Sequence, residues 1–312
     1  MEEEKERAMD IKTLVKETAY RHGMDLCGIA SVDRFNDSPP ARHPTKILPG
    51  CKSVIVVAQR VLDGVTQVNF RAFEDGRDDL KGIYGTYGYT MLPNFALTYA
   101  CYAIAQTIER ATGEVATPTS TGPMTNGNQI SLRHCAVAAG LGEFGWMSIV
   151  LTPQFGPRQR FGVVLTTAEI EPDPMYDGPQ LCDPTKCKIC TDVCPTKAIG
   201  LYGSEDCHSA TLGDKTYTYA KINFPRCQMV CHAFRKEFGG EEDLIDTYDP
   251  TAKDIAEASA KSPISGKGLQ HLESWHCGRC QAYCPVGNWQ QKFAARNLSG
   301  GIQNVKRGNR DE

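Results

Sequence analysis

Residues 187–199 read CKICTDVCPTKAI and place three cysteines within eight residues, with a proline after the last one. Cys182 extends the run to the spacing C-x4-C-x2-C-x3-C-P. Bacterial ferredoxins bind 4Fe-4S clusters with the similar run C-x2-C-x2-C-x3-C-P, whose fourth cysteine ligates the other cluster of a two-cluster domain. We therefore expect Cys187 and Cys190 to share one cluster with Cys182, and Cys194 to bind a second. The longer first gap makes Cys182 the member that departs from the pattern.

A second cysteine motif, CGRCQAYCP, covers residues 277–285 and also ends in proline. It has three cysteines and needs a fourth from upstream, which PRCQMVC can supply as Cys227 or Cys231. The crossing rule exchanges the last cysteine of each motif between the two clusters. It predicts one 4Fe-4S cluster on Cys182, Cys187, Cys190 and Cys284, and another on Cys194, Cys227, Cys277 and Cys280.

Zinc is the alternative occupant of such a cysteine-rich region. A zinc ribbon places two C-x2-C pairs about 15 to 20 residues apart. Here the two C-x2-C pairs begin at Cys187 and Cys277, and each is followed by a third cysteine and a proline. The pattern therefore favours iron–sulfur clusters over zinc.

The composition is that of a soluble globular protein and argues against several other classes. The 312 residues carry a net charge of −3, without the basic excess usual in nucleic-acid-binding proteins. No apolar run is long enough to span a membrane, and the N-terminal MEEEKERAMD resembles neither a secretory nor a twin-arginine signal. We expect a cytoplasmic protein. Because thiols stay reduced there, its fourteen cysteines indicate metal rather than disulfides.

The chain is expected to divide near the Pro- and Asp-rich stretch at residues 169–180. Before it, four cysteines are scattered among apolar neighbours and are expected to be core residues. We predict an α/β domain over residues 1–172 and a ferredoxin-like domain with two 4Fe-4S clusters over residues 173–312.

Periodicity places the main elements of the first half. Apolar residues at helical spacing predict helices, and short runs rich in β-branched residues predict buried strands, giving a sheet between helices. The expected helices are 10–22, 94–110 and SLRHCAVAAGLG, and the expected strands are DLCGIAS, 54–58 and 160–167.

The segment AGLGEFGWMSIVLTPQFGPRQRF, residues 139–161, is the most distinctive part of the first half. Its glycines favour close approach of the backbone to a ligand, although a set of tight turns would use them equally well. Its arginines could bind a phosphate or carboxylate of a substrate or a corrinoid tail, or remain solvated at the surface. The predicted cofactor-binding residues are Gly140, Gly142, Gly145, Gly156, Arg158 and Arg160.

Two places in the first half offer side chains for proton transfer. GIYGTYGYT sets Tyr84, Tyr87 and Tyr89 between glycines, either as a segment over a cofactor face or as an exposed aromatic loop. His134, just before the AGLG turn, is the histidine best placed for acid–base chemistry, or else it packs within its helix.

In order along the chain, AGLGEFGWMSIVLTPQFGPRQRF, CKICTDVCPTKAI, RCQMVC and CGRCQAYCPVGNW resemble the reductive dehalogenases and the epoxyqueuosine reductases. The opening, LVKETAYRHGMDLCGIASVDRF followed by LPGCKSVIVVAQ, is similar to the start of the epoxyqueuosine reductases. The resemblance covers about residues 10–290. It implies a cobalamin-binding α/β domain related to nitroreductases, fused to a two-cluster ferredoxin-like domain, and it favours Cys227 as the cluster ligand of its RC element.

Departures from these families bear on the substrate. Epoxyqueuosine reductases carry a catalytic aspartate about thirteen residues before the AGLG turn, where an ungapped count reaches Asn126. An amide cannot act as the acid that an aspartate would be. The chain also ends soon after Cys284, where those enzymes usually continue into a tRNA-binding region, so a nucleic-acid partner is not expected. Asn126 nevertheless joins the tyrosines and His134 as a catalytic candidate.

The resemblance implies an anaerobic, cytoplasmic reductase that cleaves a carbon–heteroatom bond of a small molecule with cobalamin and two 4Fe-4S clusters. A low-potential donor such as ferredoxin or flavodoxin would supply electrons, and FMN is the less favoured cofactor. The alternative is an electron-transfer or corrinoid-reducing iron–sulfur protein without a substrate of its own. The missing catalytic acid supports that alternative, and the large glycine-rich domain weighs against it.

Overall fold

The computed structural model describes residues 10–39, 42–77, 80–89, 92–119, 130–205, 207–262 and 277–291. At the centre of the first half is a sheet of four strands: β1 (Leu26–Ser31), β2 (Ser53–Arg60), β3 (Ala116–Pro118) and β6 (Gln159–Thr166). Their order is β1–β2–β6–β3, and each neighbouring pair is antiparallel.

The central strand β2 is buried on both faces. Its run Val54–Ala58 is at most 1% exposed, as expected for a continuous apolar strand. Because successive side chains point to opposite faces, Val54 and Val56 enter one core and Ile55 and Val57 enter the other. The sheet is therefore covered on both sides, as the sequence predicted.

Two helices cover the face that carries Ile55: α1 (Ile11–Arg21) and α5 (Leu92–Thr112). The buried side of α5 presents Leu97, Cys101, Ile104 and Ile108 to the sheet at helical spacing. The helix ends at Gly113, whose φ of 71° is a conformation that glycine adopts readily.

The opposite face is covered by α6 (Leu132–Ala138) and by a hairpin of β7 (Cys207–Leu212) and β8 (Lys215–Ala220). Leu212 and Tyr219 of this hairpin join the same hydrophobic cluster as Val54 and Val56. The sequence analysis did not predict the hairpin. It comes from the second predicted domain but packs on the core of the first, and the boundary at residue 172 remains a prediction.

The remaining described elements are helices of at most 12 residues and two strands of two residues each. They are α2 (Pro44–Ile47), α3 (Asp63–Glu74), α4 (Lys81–Tyr84), a π-helix (Gly85–Tyr89), β4 (Glu143–Phe144), β5 (Val150–Leu151), α7 (Ile189–Asp192), α8 (Phe224–Cys231), α9 (Ala252–Lys261) and α10 (Arg279–Tyr283), with 3-10 turns at Val32–Phe35 and Lys236–Phe238.

The predicted mixture of helices and a sheet is confirmed, and each predicted helix and strand is present with shifts of a few residues at its ends. Scattered cysteines of the first half are core residues: Cys27, Cys51, Cys101 and Cys135 are each at most 7% exposed. In the described part of the chain, no helix combines the length and apolar character that crossing a membrane requires.

The core between α5 and the sheet generates a stability prediction. Ile104 is fully buried, so Ile104→Ala should lower the free energy of unfolding by about 2–5 kcal/mol through lost burial and a cavity. Tyr102 on the outer face of the same helix is 54% exposed, and Tyr102→Ala should change it by about 0.5 kcal/mol or less. Anaerobic urea denaturation measures both, and equal losses would contradict this packing.

Candidate iron–sulfur centre

The first group of cysteines comes together from two distant loops. Burial raises the pKa of Cys190 to about 12, and the next contributions come from the charges of Cys182, Cys284 and Cys187. Cys182 and Cys187 also raise the pKa of Cys284, which burial lifts to about 11. Because such effects weaken with distance, the four thiols lie close together. They are the first predicted cluster set, and their binding of iron remains a prediction.

The second group forms around α10. Burial raises the pKa of Cys280 well above its usual value, and the charges of Cys277, Cys190, Cys194 and Cys231 raise it further. Cys194 therefore lies with the cysteines of the other motif, as Cys284 does in the first group. These neighbours agree with the crossing rule, and the division of the cysteines between two clusters remains a prediction.

The fourth place in the second group involves a pair of thiols on α8. Cys231 accepts a hydrogen bond from the backbone N–H of Cys277 and acts on the pKa of both Cys277 and Cys280. Cys227 has its Sγ 3.9 Å from the Sγ of Cys231, and the largest charge effects on Cys277 and Cys280 include Cys231 rather than Cys227. The geometry thus favours Cys231, while Cys227 as ligand stays the sequence prediction.

The thiols hold their protons in the metal-free chain and would have to lose them to bind metal. Burial, as the largest cause, raises the pKa of Cys277 to about 12, so an empty site is protonated at neutral pH. A coordinating thiol is deprotonated, and cluster assembly would therefore release protons. Within the described residues, no three His, Cys, Asp or Glu side chains converge on one ion position. A cubane does not require this, because its four thiolates bind four different irons.

Backbone N–H groups and one carboxylate hold the cysteine loops. Trp146 donates to the Sγ of Cys182 at 3.3 Å, and Ala198 donates to the Sγ of Cys194 at 3.2 Å. Hydrogen bonds to sulfur stabilise thiolates and tune cluster potentials. Glu143 Oε1 accepts from the backbone N–H of Cys182 at 3.1 Å and of the preceding residue at 2.5 Å. Sequence reasoning missed Glu143, which lies in the segment 139–161 but was not singled out among its glycines and arginines.

Arg158 has a different environment from the predicted one. Its side chain is buried, and its guanidinium donates to the backbone carbonyls of Gln281 at 3.1 Å and Cys284 at 3.0 Å, and to that of Val286. Burial lowers the pKa of Arg158 to about 10. The residue fastens the loop of the second cysteine motif to the end of β6, and anion binding by it remains a prediction.

The predicted cofactor glycines make close contacts within the chain. A Cβ at Gly142 would collide with the carbonyl of Leu151, and a Cβ at Gly156 would collide with the carbonyl of Val286. Gly140 and Gly145 are equally crowded, by the backbone near Pro174 and by the Leu151 side chain. Their freedom from a side chain is thus used to pack the segment 139–161 against neighbouring parts of the chain, and their binding of a cofactor remains a prediction.

The three tyrosines separate in the structure. Tyr84 is 3% exposed, and burial followed by the charges of Cys280 and Tyr89 raises its pKa. Tyr87 is 50% exposed. Tyr89 ends the π-helix, a feature often found at functional sites, and the guanidinium of Arg160 stacks on its ring at 4.3 Å. Tyr84, Tyr89 and Arg160 therefore form a tyrosine–arginine cluster beside the second cysteine group.

His134 lies on the other side of the sheet. Its Nδ1 is 2.5 Å from Ser131 Oγ and its Nε2 is 3.1 Å from Tyr219 Oη, so the ring links α6 to β8. Burial, then the charge of Arg133, lowers its pKa to about 4. The ring is neutral at physiological pH and is held within the fold. Asn126 lies outside the described residues.

Comparisons with known proteins give two groups of relatives, and no family model matches the chain. It is 37% identical over 83 residues to a tetrachloroethene reductive dehalogenase of Desulfitobacterium hafniense, covering 24% of this chain and 15% of that protein. It is 24% identical over 269 residues to the epoxyqueuosine reductase of Staphylococcus aureus, covering 75% of this chain and 67% of that protein.

Solved structures of the same two kinds share the fold. An epoxyqueuosine reductase superposes with a TM-score of 0.51 and 17% identity over 89% of this chain and 65% of its own. A catabolic reductive dehalogenase in complex with 3-bromo-4-hydroxybenzoic acid superposes with a TM-score of 0.51 and 15% identity over 90% of this chain and 36% of its own. The resemblance to both families is confirmed.

The relatives are longer than the part that matches. The chain spans 15% of the length of the dehalogenase relative in sequence and 36% of the superposed dehalogenase chain. What is shared is therefore the fold and a stretch of sequence, and activity, substrate and partners require their own argument.

The buried histidine gives a pH prediction. Its pKa is about 4 in the folded chain and about 6.5 when unfolded, so the unfolded chain binds more protons between these values. The free energy of unfolding should fall as the pH is lowered from about 6.5 toward 4, and His134→Gln should remove part of that fall. Anaerobic urea denaturation at pH 5 and pH 7 measures it. His208→Gln, which changes an exposed ring, should keep most of the fall in the free energy of unfolding. If His134→Gln shows the same pH dependence as the unmodified chain, His134 is not the group responsible.

Proposed function

We propose that this chain is an iron–sulfur reductase in which two 4Fe-4S clusters pass single electrons from a low-potential donor to a small molecule with a reducible carbon–heteroatom bond. The single observation that carries the proposal is the exchange of Cys194 and Cys284 between the two cysteine groups. Two groups of four thiols at this spacing suit two neighbouring cubanes. The reductases found among the relatives support the reaction class.

The first cluster would be held by Cys182, Cys187, Cys190 and Cys284. The second would be held by Cys194, Cys277, Cys280 and a thiol of α8. Each cluster, when bound, supplies one-electron transfer, and the chain sets its potential through N–H donors and burial. Cys190 of the first group acts on the pKa of Cys280 of the second, so the two groups adjoin, as an electron relay requires.

Proton delivery is best supported at Tyr89. Its phenol can donate a proton to a reduced substrate, and the guanidinium of Arg160 stacked on the ring would stabilise the phenolate that remains. Arg160 Nη2 lies 3.4 Å from Asn94 Oδ1, which fixes the orientation of the guanidinium. The tyrosine–arginine cluster lies beside Cys280, a proposed ligand of the second iron–sulfur cluster. An electron and a proton could therefore reach the same substrate. Tyr84, Tyr87, His134 and Asn126 remain catalytic candidates from the sequence alone.

Cobalamin is the cofactor that the resemblance implies, and when bound it would supply a low-valent cobalt for bond cleavage. The described residues do not form a cradle for it: four predicted glycines pack inside the chain and Arg158 binds carbonyls. A cavity of about 530 Å³ lies beside Cys182, between Trp146 and Tyr217, within the range of pockets for drug-sized ligands.

The partners follow from this proposal. A ferredoxin or flavodoxin would supply the low-potential electrons, and a cytoplasmic, anaerobic setting would protect reduced clusters. One solved epoxyqueuosine reductase of the same fold is bound to a tRNA stem loop. We propose a small molecule rather than RNA, since the chain has a net charge of −3.

One observation favours a second function. Because the predicted cofactor glycines and Arg158 are occupied by contacts within the chain, the protein could relay electrons to a partner or reduce its corrinoid, without a substrate of its own. The tyrosine–arginine cluster favours the reductase, since an electron carrier has no need of a proton donor.

Anaerobic reconstitution with iron, sulfide and hydroxocobalamin, followed by metal counting and turnover assays, tests the proposal. We expect about eight irons per chain, and oxidation of reduced methyl viologen by tetrachloroethene or 3-bromo-4-hydroxybenzoate. Retained cobalt would add the corrinoid. Eight irons without turnover of either probe would contradict the reductase and favour the electron carrier. A single zinc ion in place of iron would contradict both functions.

Replacing the proposed proton donor gives a sharper prediction. Tyr89→Phe should lower turnover about 100-fold or more, because general acid catalysis contributes that much, while leaving the iron content unchanged. Tyr99→Phe, at a side chain that is 65% exposed, serves as control and should retain full turnover. Steady-state rates with reduced methyl viologen measure the effect; full activity in Tyr89→Phe would rule out this role.

The thiol pair on α8 can be resolved by substitution. Because Cys231 faces Cys277, Cys231→Ser should reduce the iron content from about eight to about four, whereas Cys227→Ser should retain about eight. Iron counting and the EPR spectrum of the reduced chain measure this. The reverse pattern would restore Cys227 as the ligand and show that α8 turns when the cluster assembles.

A further inference from the structure

Arg158 is the most deeply buried cation near the cysteine loops. It is 3% exposed, and its guanidinium donates to three carbonyls of the loop around Cys284: those of Gln281, Cys284 and Val286. The ring of Trp289 lies 5.8 Å from the guanidinium carbon. The charge is thus fixed in position and shielded from water.

Among the described residues, this charge is not paired with a carboxylate. Arg158 forms no ion pair with an Asp or Glu of the described residues, and Asp63, whose charge acts on it from a distance, lies 3.8 Å from Arg60. Buried charges are normally paired, because leaving water is costly. The largest electrostatic partner of Arg158 is Cys284, a ligand of the first proposed cluster. An anionic group attached to Cys284 would supply the missing negative charge.

We infer that Arg158 is a positioning residue that raises the reduction potential of the first cluster by holding a buried positive charge beside Cys284. The inference rests on the proposed clusters. On reduction, one electron leaves the low-potential donor and enters the cluster, which becomes more negative by one charge. A fixed cation in a region of low dielectric favours that product, so the reduced state is stabilised.

The second cluster has its own arginine, which provides a matched comparison. Arg279 lies between Cys277 and Cys280, and its charge lowers the pKa of Cys277. Its guanidinium stacks on Phe73 at 5.1 Å and on Tyr283 at 5.6 Å. Arg158 acts on a cysteine of the first group and Arg279 on a cysteine of the second, so replacing either arginine should change mainly the potential of its own cluster.

The test is a redox titration of the reconstituted full chain, followed by EPR, with Arg158→Gln, Arg158→Lys and Arg279→Gln. Cys187→Ser, which removes a ligand of the first group only, identifies the first cluster's signal. We expect Arg158→Gln to lower the potential of the first cluster and leave the second unchanged. Arg158→Lys keeps the charge and should retain most of the potential, and Arg279→Gln should affect only the second cluster.

The outcomes separate this inference from the function it rests on. Fewer than about eight irons in the unmodified chain would contradict the proposal of two 4Fe-4S clusters itself. Full iron with an unchanged first potential in Arg158→Gln would overturn the inference. If the reduction potential of the first cluster falls as far in Arg158→Lys as in Arg158→Gln, the effect comes from the three hydrogen bonds rather than from the charge, and the inference is overturned. If Arg158→Gln and Arg158→Lys both lose the first cluster, Arg158 is a structural residue and the inference is contradicted.

Discussion

The close approach of the last cysteine of each motif to the thiols of the other motif is the constraint that shapes this half of the molecule. The first motif keeps three thiols together and the second keeps two, so neither proposed cluster has its four ligands unless the two loops cross. Crossing requires the loop that ends at Cys284 to be held against the first half. Arg158 does this with three hydrogen bonds, and Trp289 packs with Phe70 of α3. The cysteine region is therefore folded together with the sheet rather than beside it.

Close packing between the halves explains features that looked like ligand sites. A Cβ at Gly156 would overlap the carbonyl oxygen of Val286 in the loop after Cys284. A Cβ at Gly278 would overlap the ring of Tyr84. The glycine-rich segment 139–161 thus positions the cysteine loops. The same closeness places the tyrosine–arginine cluster beside Cys280, which is why electron transfer and proton transfer can be considered at one site.

The sequence predicts those features that depend on local pattern. Strand β2 follows from a β-branched run and α5 from helical periodicity. The exchange of cysteines between two clusters follows from the similarity of the spacing to the ferredoxin run and remains a prediction. The β7–β8 hairpin was not predicted, although exposed and less exposed residues alternate along the start of β8 and Gly213–Asp214 form its turn. The roles of Arg158 and Cys231 depend on contacts across more than 40 residues, and no local pattern reports them.

An anaerobic crystal structure of the reconstituted chain, with anomalous scattering measured at the iron edge, would locate the iron atoms and their ligands. We expect two four-iron clusters, one bonded to Cys284 together with Cys182, Cys187 and Cys190, and the other bonded to Cys194 and Cys277. Two clusters each held by one motif without exchange would contradict this expectation, and so would a single metal ion in place of the cubanes.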